Sequence, residues 1–415
     1  MRAPTLRLIA VLALTGALLG GILSGCGKGP AAHSAAAGSG ELGSVPAAVG
    51  VVGVATKNTT RLGGAEPATD AAAVAQAVYS GLTPATRPQA VVLVNERDWP
   101  AALAASELAS APLGAPLLFA DGDSLPDDTL SALRAMHPIG ASTLGGAQVI
   151  RVGTSAALPD GLRARSVASA GEPAATAAAV QKLFDVVHRG SPHQVIVVAA
   201  DAPPALQMPA AALSAESGAP ILLIDRGSVP APTRAALQAL HHPTIYVVAP
   251  TTLHGRAYAQ LAPLGTVVQV AGAAGESPSA KDSGEAVENA ISVSRFAHGS
   301  FGWGIHEAGH GLVFANVSRP LDAPAAAPLS AHGDYGPLLL LAHSAAVPAA
   351  LTQYLSDIEP GYTATAPPVR AVYNHGWLIG DEQAISALAQ AELDTVLEIA
   401  PRQPSAAEQS VAPAE

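Results

Sequence analysis

The stretch GAPLLF at residues 114–119 returns as GAPILL at residues 218–223 and as GPLLL at residues 336–340. In each copy glycine and proline favour a turn, and the aliphatic residues that follow favour a short buried strand. The prolines of the first two copies lie 104 residues apart, and those of the last two lie 117 apart. A strand signal that recurs at this spacing predicts a tandem repeat.

Two further markers keep nearly the same offsets. A Leu-Pro pair at 125–126 and Val-Pro pairs at 229–230 and 347–348 each open a helix, with spacings of 104 and 118 residues. Pro88 and Pro192, again 104 residues apart, each precede an apolar strand. The sequence therefore predicts three units of about 105 to 125 residues, each long enough to have its own core.

Helices and strands alternate within each unit. The helices are rich in alanine, and the strands are short and continuously apolar, which is typical of a parallel sheet covered on both faces. We therefore predict an α/β fold of three tandem doubly wound (Rossmann/flavodoxin-like) parallel-sheet modules. Leading helices are expected at 70–79, 174–187 and 285–296, second helices at 100–110, 204–217 and 323–330, and closing strands at 149–152, 245–248 and 369–373.

The N-terminal segment has the parts of a secretory signal. Arg2 and Arg7 flank the start, an uncharged apolar run of 16 residues covers 8–23, and the small residues Ser24 and Gly25 precede Cys26. This ending resembles the lipobox of bacterial lipoproteins, whose cysteine is lipidated and becomes the first residue of the mature protein. We predict lipidation at Cys26 and anchoring to the outer face of the cytoplasmic membrane. An uncleaved membrane helix is the alternative, but a span needs about 20 residues.

These signals predict the domain organisation. Residues 1–26 are the lipoprotein signal peptide, and 27–46 form a flexible tether rich in Gly, Ala and Ser. Modules 1, 2 and 3 are expected at 47–160, 161–270 and 271–400, followed by a polar, disordered tail at 401–415.

The composition limits the classes of partner. The single cysteine excludes an intrachain disulfide, so stability must come from packing. Because 49% of residues are hydrophobic and only 4% aromatic, the core must consist mainly of Ala, Val and Leu. The formal net charge of −11 argues against a nucleic-acid partner and against long-range attraction to an acidic polymer. It leaves room for a local basic pocket.

The first unit also carries an ordered set of short motifs. They are RLGG at 61–64, AAAV at 71–74, PAAL at 100–103 and GAPLL at 114–118. Together with YNHGWLIG at 373–380 in the last unit, the set resembles the cell-wall-binding repeat of type 2, which occurs in tandem threes on surface proteins of Gram-positive bacteria. The resemblance extends over about residues 50 to 400.

This resemblance implies a non-catalytic protein. It implies three modules packed around a pseudo-threefold axis that hold the protein to anionic cell-wall polymers. Two family positions differ in this sequence: EPATD at 66–70 replaces an Arg-Tyr-x-Thr-Ala run, and Ala101 replaces an aspartate. The resemblance therefore assigns no polymer-binding residue here.

His306-Glu307-Ala308-Gly309-His310 matches the H-E-x-x-H motif of zinc peptidases. There a helix places both imidazoles on the metal and the glutamate acts as general base. Four glycines between residues 302 and 311 disfavour a helix, at about 1 kcal/mol each relative to alanine. The repeat alignment instead predicts that the motif lies in the loop entering the strand at 312–315.

A zinc site would also need a third ligand from elsewhere in the chain. His332, Asp334 and His343 are the candidates, because the usual third positions of zinc peptidases hold other residues. We therefore predict no catalytic residue, no cofactor and no metal, and keep His306 and His310 as metal ligands of an alternative interpretation only.

The leading hypothesis is a non-enzymatic, lipid-anchored surface protein whose three repeats bind an anionic cell-wall polymer. Its partners would be that polymer and, through Cys26, the membrane. One alternative is an extracellular lipoprotein that binds a small ligand in a cleft between α/β domains. The other is a zinc metallopeptidase that uses His306, Glu307 and His310.

Overall fold

The short apolar segments form the strands of parallel sheets, so the predicted α/β class is confirmed. The computed structural model describes residues 54–167, 171–271, 283–331, 336–362 and 372–401. Its strands are β1 (Val54–Ala55), β2 (Thr59–Leu62), β3 (Val91–Asn95), β4 (Leu117–Ala120), β5 (Val149–Val152), β6 (Ala164–Val167), β7 (Gln194–Ala199), β8 (Ile221–Ile224), β9 (Thr244–Val247), β10 (Thr266–Gln269), β11 (Gly311–Asn316), β12 (Leu338–Leu341), β13 (Gly361–Tyr362), β14 (His375–Ile379) and β15 (Ala400–Pro401).

Three sheets share one strand plan. The first sheet has the order β4-β3-β5-β6, the second β8-β7-β9-β10, and the third β12-β11-β14-β2-β1. In each sheet a central strand (β3, β7 or β11) lies between the strand that follows the Gly-Pro turn (β4, β8 or β12) and the closing strand (β5, β9 or β14). One further parallel strand (β6, β10 or β2) pairs with the other side of the closing strand. β1 is antiparallel to β2, and β13 and β15 form a separate short pair.

Helices connect the strands of each sheet. They are α1 (Pro67–Val78), α2 (Trp99–Ala105), α3 (Asp127–Met136), α4 (Pro173–His188), α5 (Pro204–Gln207), α6 (Pro209–Ser217), α7 (Ala231–Ala239), α8 (Gly255–Leu261), α9 (Ser283–Arg295), α10 (Asp322–Ala331), α11 (Ala349–Asp357) and α12 (Ala387–Val396). Short 3₁₀ turns follow α2 at Ser106–Ala109 and also occur at Pro84–Thr86, Ser142–Leu144 and Pro250–Thr252.

The middle of the molecule is built from alanine-rich helices. α10 packs on α6, and both contact α2 and the 3₁₀ turn that follows it. Most residues of all three helices are buried, including the runs 101–105, 209–215 and 322–330. A helix that is apolar all round belongs in a core, and the small methyl side chains let the helix backbones approach closely. This explains how a core with few aromatic residues can still be closely packed.

The outer strand of each sheet leads into a helix that packs on the next sheet. β6 of the first sheet is followed by α4, which packs on β8 of the second, and β10 of the second is followed by α9, which packs on β12 of the third. β2 of the third sheet is followed by α1, which packs on β4 of the first. Each sheet is therefore connected through a helix to the next, and the third is connected back to the first, because the early strand β2 belongs to the third sheet.

This exchange of strands crosses the predicted module boundaries, which remain predictions. β2 falls within the range 47–160 predicted for module 1, yet it pairs with β14 in the third sheet. β6 falls within 161–270, predicted for module 2, yet it pairs with β5 in the first sheet. At both places one strand belongs to a different sheet from the one that its position in the sequence predicts.

The predicted closing strand at 369–373 is wrong. Residues 369–371 lie outside the described residues, and Val372 and Tyr373 precede the strand with 56% of each residue exposed. The closing strand of this unit is β14, which begins six residues after the predicted start and pairs with β11 in the register Gly311↔His375. The reason is Asn374, whose side chain accepts hydrogen bonds from the backbone N–H groups of Gly309 and His310 and so fixes the start of β14.

No helix of the described residues is long and apolar enough to cross a membrane.

Candidate functional site

The predicted lipidation site cannot be placed in this fold. Cys26, the signal peptide at 1–26 and the tether at 27–46 lie outside the described residues, as do residues 402–415 of the predicted tail. These interpretations remain predictions.

The H-E-x-x-H motif lies in an irregular loop, as the repeat alignment predicted. β11 begins at Gly311, directly after the motif, and the preceding residues 303–310 form no helix. Gly309 has a φ of 115°, which a helix does not allow. His306 and Glu307 are exposed. The helical spacing that would aim both imidazoles at one metal is therefore absent.

The backbone of this loop has a structural role at the start of the third sheet. Gly309 and His310 donate their N–H groups to Asn374 Oδ1 at 2.8 and 3.1 Å. The His310 carbonyl accepts from the N–H of His375 at 3.0 Å. Burial lowers the pKa of His310, and the carboxylate of Glu307 opposes that change. Asn374 is part of the motif YNHGWLIG, but its structural role could not be predicted, because its partners are backbone groups 64 and 65 residues away.

The proposed third zinc ligands do not complete a site. His343 follows the C-terminal end of β12, whereas His310 precedes the N-terminal end of its parallel neighbour β11. The two histidines therefore lie at opposite ends of the strands. The two ends of a four-residue strand are about 13 Å apart. His332 and Asp334 are outside the described residues. Within the described ranges, no three His, Cys, Asp or Glu side chains are placed to hold a metal ion.

The RLGG motif lies at the junction of the third sheet with α1. Arg61, on β2, is only 5% exposed, and its guanidinium donates to the carbonyl oxygens of Gly380, Asp381 and Ile385 at 3.0, 2.7 and 2.6 Å. It also donates to Gln390 Oε1 from Nη2 at 2.9 Å. Burial lowers the pKa of Arg61, and nearby carboxylates oppose that change. The arginine therefore ties β2 to the loop after β14 and to α12.

The glycines of the motif make room for a buried carboxylate. Gly63 has a φ of 113°, and a Cβ added there would lie 2.0 Å from Asp70 Oδ1. The same oxygen accepts the N–H of Gly64 at 2.7 Å. Because glycine alone tolerates both the backbone angle and this approach, the Gly-Gly pair permits α1 to begin directly against β2.

Asp70 belongs to a charged cluster, which we call the Arg319 cluster: Asp70, Arg319 and Asp322. Arg319 pairs with Asp70 through Nη2, with Asp322 Oδ2 through Nε at 3.0 Å, and donates to the carbonyl of Ala65 at 2.7 Å. Both carboxylates are fully buried. Burial raises the pKa of each, and that of Asp322 is raised further by Asp70. The cluster holds α1 against α10.

A third buried acid lies between the first and second sheets. Glu107, in the 3₁₀ turn after α2, accepts the N–H of Ile221 in β8 at 3.2 Å. Its Oε1 is buried without a hydrogen-bond partner in the part of the chain that the structure describes. Burial raises the pKa of Glu107 well above its usual range, and the carboxylate of Asp185 adds to that effect.

Glu107→Gln is expected to change the pH dependence of stability. A carboxyl whose pKa is raised by folding binds more protons when folded, so stability is lost as pH rises from the unfolded pKa of about 4.3 through the folded value. Above neutral pH the glutamine variant should therefore have the higher free energy of unfolding. Each pKa unit of difference corresponds to about 1.4 kcal/mol. Urea unfolding of both proteins at pH 5 and pH 8 measures this. If the difference in free energy of unfolding between the two proteins were the same at both pH values, the raised pKa of Glu107 would be contradicted.

Solved structures with this fold are known. Cwp6 from Clostridium difficile matches with a TM-score of 0.61 and 18% sequence identity, over 82% of this chain and 48% of that chain. Cwp8 from Clostridium difficile matches with a TM-score of 0.58 and 17% identity, over 82% of this chain and 51% of that one. The chain thus spans about half the length of each neighbour, and at these identities the likeness shows the fold. No family model and no curated protein matches the sequence.

Proposed function

We propose that this chain is a non-enzymatic cell-surface protein, lipid-anchored through Cys26, whose three repeats bind an anionic cell-wall polymer. The observation that carries the proposal is the fold that 82% of the chain shares with Cwp6 and Cwp8, which are cell-wall proteins of Clostridium difficile. The motifs RLGG, PAAL and GAPLL support the same assignment, because they resemble the cell-wall-binding repeat of type 2.

The repeats are proposed to be three doubly wound modules arranged around a pseudo-threefold axis. Two observations support this arrangement. The three sheets have the same strand plan, with β2, β6 and β10 in equivalent outer positions. The second helices α2, α6 and α10 contact one another, as elements close to such an axis would.

The charge of the chain determines what kind of binding is possible. A protein with a formal charge of −11 is repelled at long range by an anionic polymer. Binding must then come from short-range contacts with local basic groups, and moderate salt should weaken the repulsion as well as the contacts. We therefore expect a weaker dependence on salt than a basic wall-binding protein would show.

Co-sedimentation with purified Gram-positive cell walls tests this function. The protein is produced from residue 27 onward, which retains the whole compact unit 49–415 and removes the predicted signal and lipid. We expect it to sediment with intact walls and to remain in solution with walls from which the anionic polymers have been extracted. No retention on intact walls at low salt would contradict wall binding, and equal retention on extracted walls would contradict an anionic polymer as the ligand.

A further inference from the structure

A cavity with basic side chains lies at the N-terminal ends of the strands of the first sheet. Its volume is about 460 Å³. The walls come from the end of α3, from the segment before β3, and from the segments before β5 and β6. The lining includes Arg87, Arg134, His137, Ile139, Pro159 and Asp160. We call this space the Arg134 cavity.

Three hydrogen bonds, two of them made by the Gln148 side chain, fix the shape of the Arg134 cavity. The N–H of Ile139 donates to the carbonyl of Pro88 at 3.1 Å, which joins the segment after α3 to the segment before β3. Gln148 Nε2 donates to the carbonyl of Pro138 at 2.9 Å. Gln148 Oε1 accepts the N–H of Arg163 at 3.3 Å, which fixes the approach to β6. The cavity is therefore formed by the fold itself and needs no ligand to shape it.

The cavity is lined by more cationic than anionic side chains. Arg87 donates from Nε to the carbonyl of Gly81 at 3.2 Å. Among the described residues, neither Arg87 nor Arg134 forms an ion pair, whereas Arg97, Arg295 and Arg319 do. The lining holds two arginines and one histidine against one acid, Asp160, in a chain whose overall charge is −11. The cavity is therefore a locally positive, concave surface on an acidic protein.

A purely structural role accounts for only part of this arrangement. Arg134 is in the last turn of α3 and His137 ends that helix, where a cation interacts favourably with the helix dipole. That role does not explain Arg87, which is outside the helix and faces the same cavity. Nor does it explain Ile139, which leaves 56% of its surface exposed at the cavity wall.

The lining chemistry fits an acidic sugar. Guanidinium groups match carboxylate and phosphate oxygens in geometry and charge. The carboxylate of Asp160 can accept hydrogen bonds from hydroxyl groups, and Ile139 and Pro159 offer apolar surface to the C–H face of a sugar ring. The volume falls within the range of small-molecule sites.

We propose that the Arg134 cavity binds an acidic saccharide unit, with its phosphate or carboxylate group on Arg87 and Arg134 and its hydroxyl groups on Asp160. This rests on the proposed function, because such a unit would be part of the wall polymer. The shared chemistry is an anionic group on a polyhydroxylated ring, and the source, phosphate or carboxylate, is separated by the probes below.

Isothermal titration with glucose 6-phosphate and with glucuronate tests the cavity, and glucose serves as the neutral control. We expect one or both acids to bind at least tenfold more tightly than glucose, and the preferred acid identifies the source. Arg134→Ala should weaken that binding at least tenfold, whereas Arg134→Lys should retain part of it. Arg256→Ala, which removes another exposed arginine, on α8, should change it less than twofold.

Two results would overturn the proposal: acids that bind no better than glucose, or equal losses in the variants at Arg134 and Arg256. Thermal unfolding of each variant shows that the fold is retained. Wall co-sedimentation of the wild type and Arg134→Ala separates the cavity from the wider function. Equal retention of both on walls would overturn the cavity as the polymer contact while wall binding stands. Binding of acidic sugars without any wall retention would leave the cavity intact and contradict the wall role.

Discussion

Replacing Arg61 with methionine is expected to lower the free energy of unfolding by at least about 3 kcal/mol. The methionine can fill part of the space, but it cannot donate. The buried carbonyl groups of Gly380 and Ile385 and the side chain of Gln390 would lose their partner. Each buried polar group that is left unsatisfied costs about 1–3 kcal/mol. Chemical denaturation at pH 7 measures the difference directly.

A matched control is Arg256→Met. Arg256 is exposed on α8, so its replacement should change the free energy of unfolding by no more than about 0.5 kcal/mol. A loss below 1 kcal/mol in Arg61→Met would mean that the hydrogen bonds of Arg61 do not hold β2 in the third sheet.

Arg319→Met should be the second strongly destabilising change, and its effect should depend on pH. The variant leaves Asp70 and Asp322 buried without their cation, which typically costs about 3–5 kcal/mol. Loss of Arg319 raises the pKa of both carboxyls further above the unfolded values. Their protonated forms need no cation, so the deficit should be largest above neutral pH and should shrink as pH falls towards about 4.

Denaturation of wild type and Arg319→Met at pH 4.5 and pH 8 gives this comparison. The double variant Arg319→Met/Asp322→Asn should recover part of the loss at pH 8, because one buried charge is removed. A deficit that is the same at both pH values would contradict the assignment of the cluster as a cation between two buried acids.

Much of this fold follows from the sequence because the repeat spacing fixes the elements relative to one another. The strands after Gly-Pro turns and the alanine-rich helices lie within a few residues of their predicted positions. The interpretation of the H-E-x-x-H motif as a loop also followed from the alignment. The helix was excluded by its glycines, three of which (Gly302, Gly304 and Gly309) have a positive φ in the structure.

The partner of β2 could not be read from the sequence. A four-residue strand with the sequence TTRL has no pattern that says which sheet it joins, and an arginine is normally expected at the surface. Chain order placed β2 with the first sheet, while hydrogen bonding places it beside β14. The choice depends on Arg61 and on Asp70, whose partners lie about 250 to 330 residues away.

The Arg134 cavity was hidden for a similar reason. The composition left room for a local basic pocket, but Arg87, Arg134 and Asp160 are separated along the chain and lie in segments without a motif. They come together because the N-terminal ends of parallel strands lie on the same side of a sheet. Only the order β3-β5-β6 brings those segments together.

The central claim is that an early strand completes the last sheet and so joins the first and third sheets into one scaffold. Native-state hydrogen exchange, followed by mass spectrometry on peptides that contain β2 and β14, tests it most directly. We predict that the amides of β2 exchange with the same opening free energy as those of β14, because both belong to one hydrogen-bonded sheet. Rapid exchange of β2 while β14 stays protected would contradict the claim.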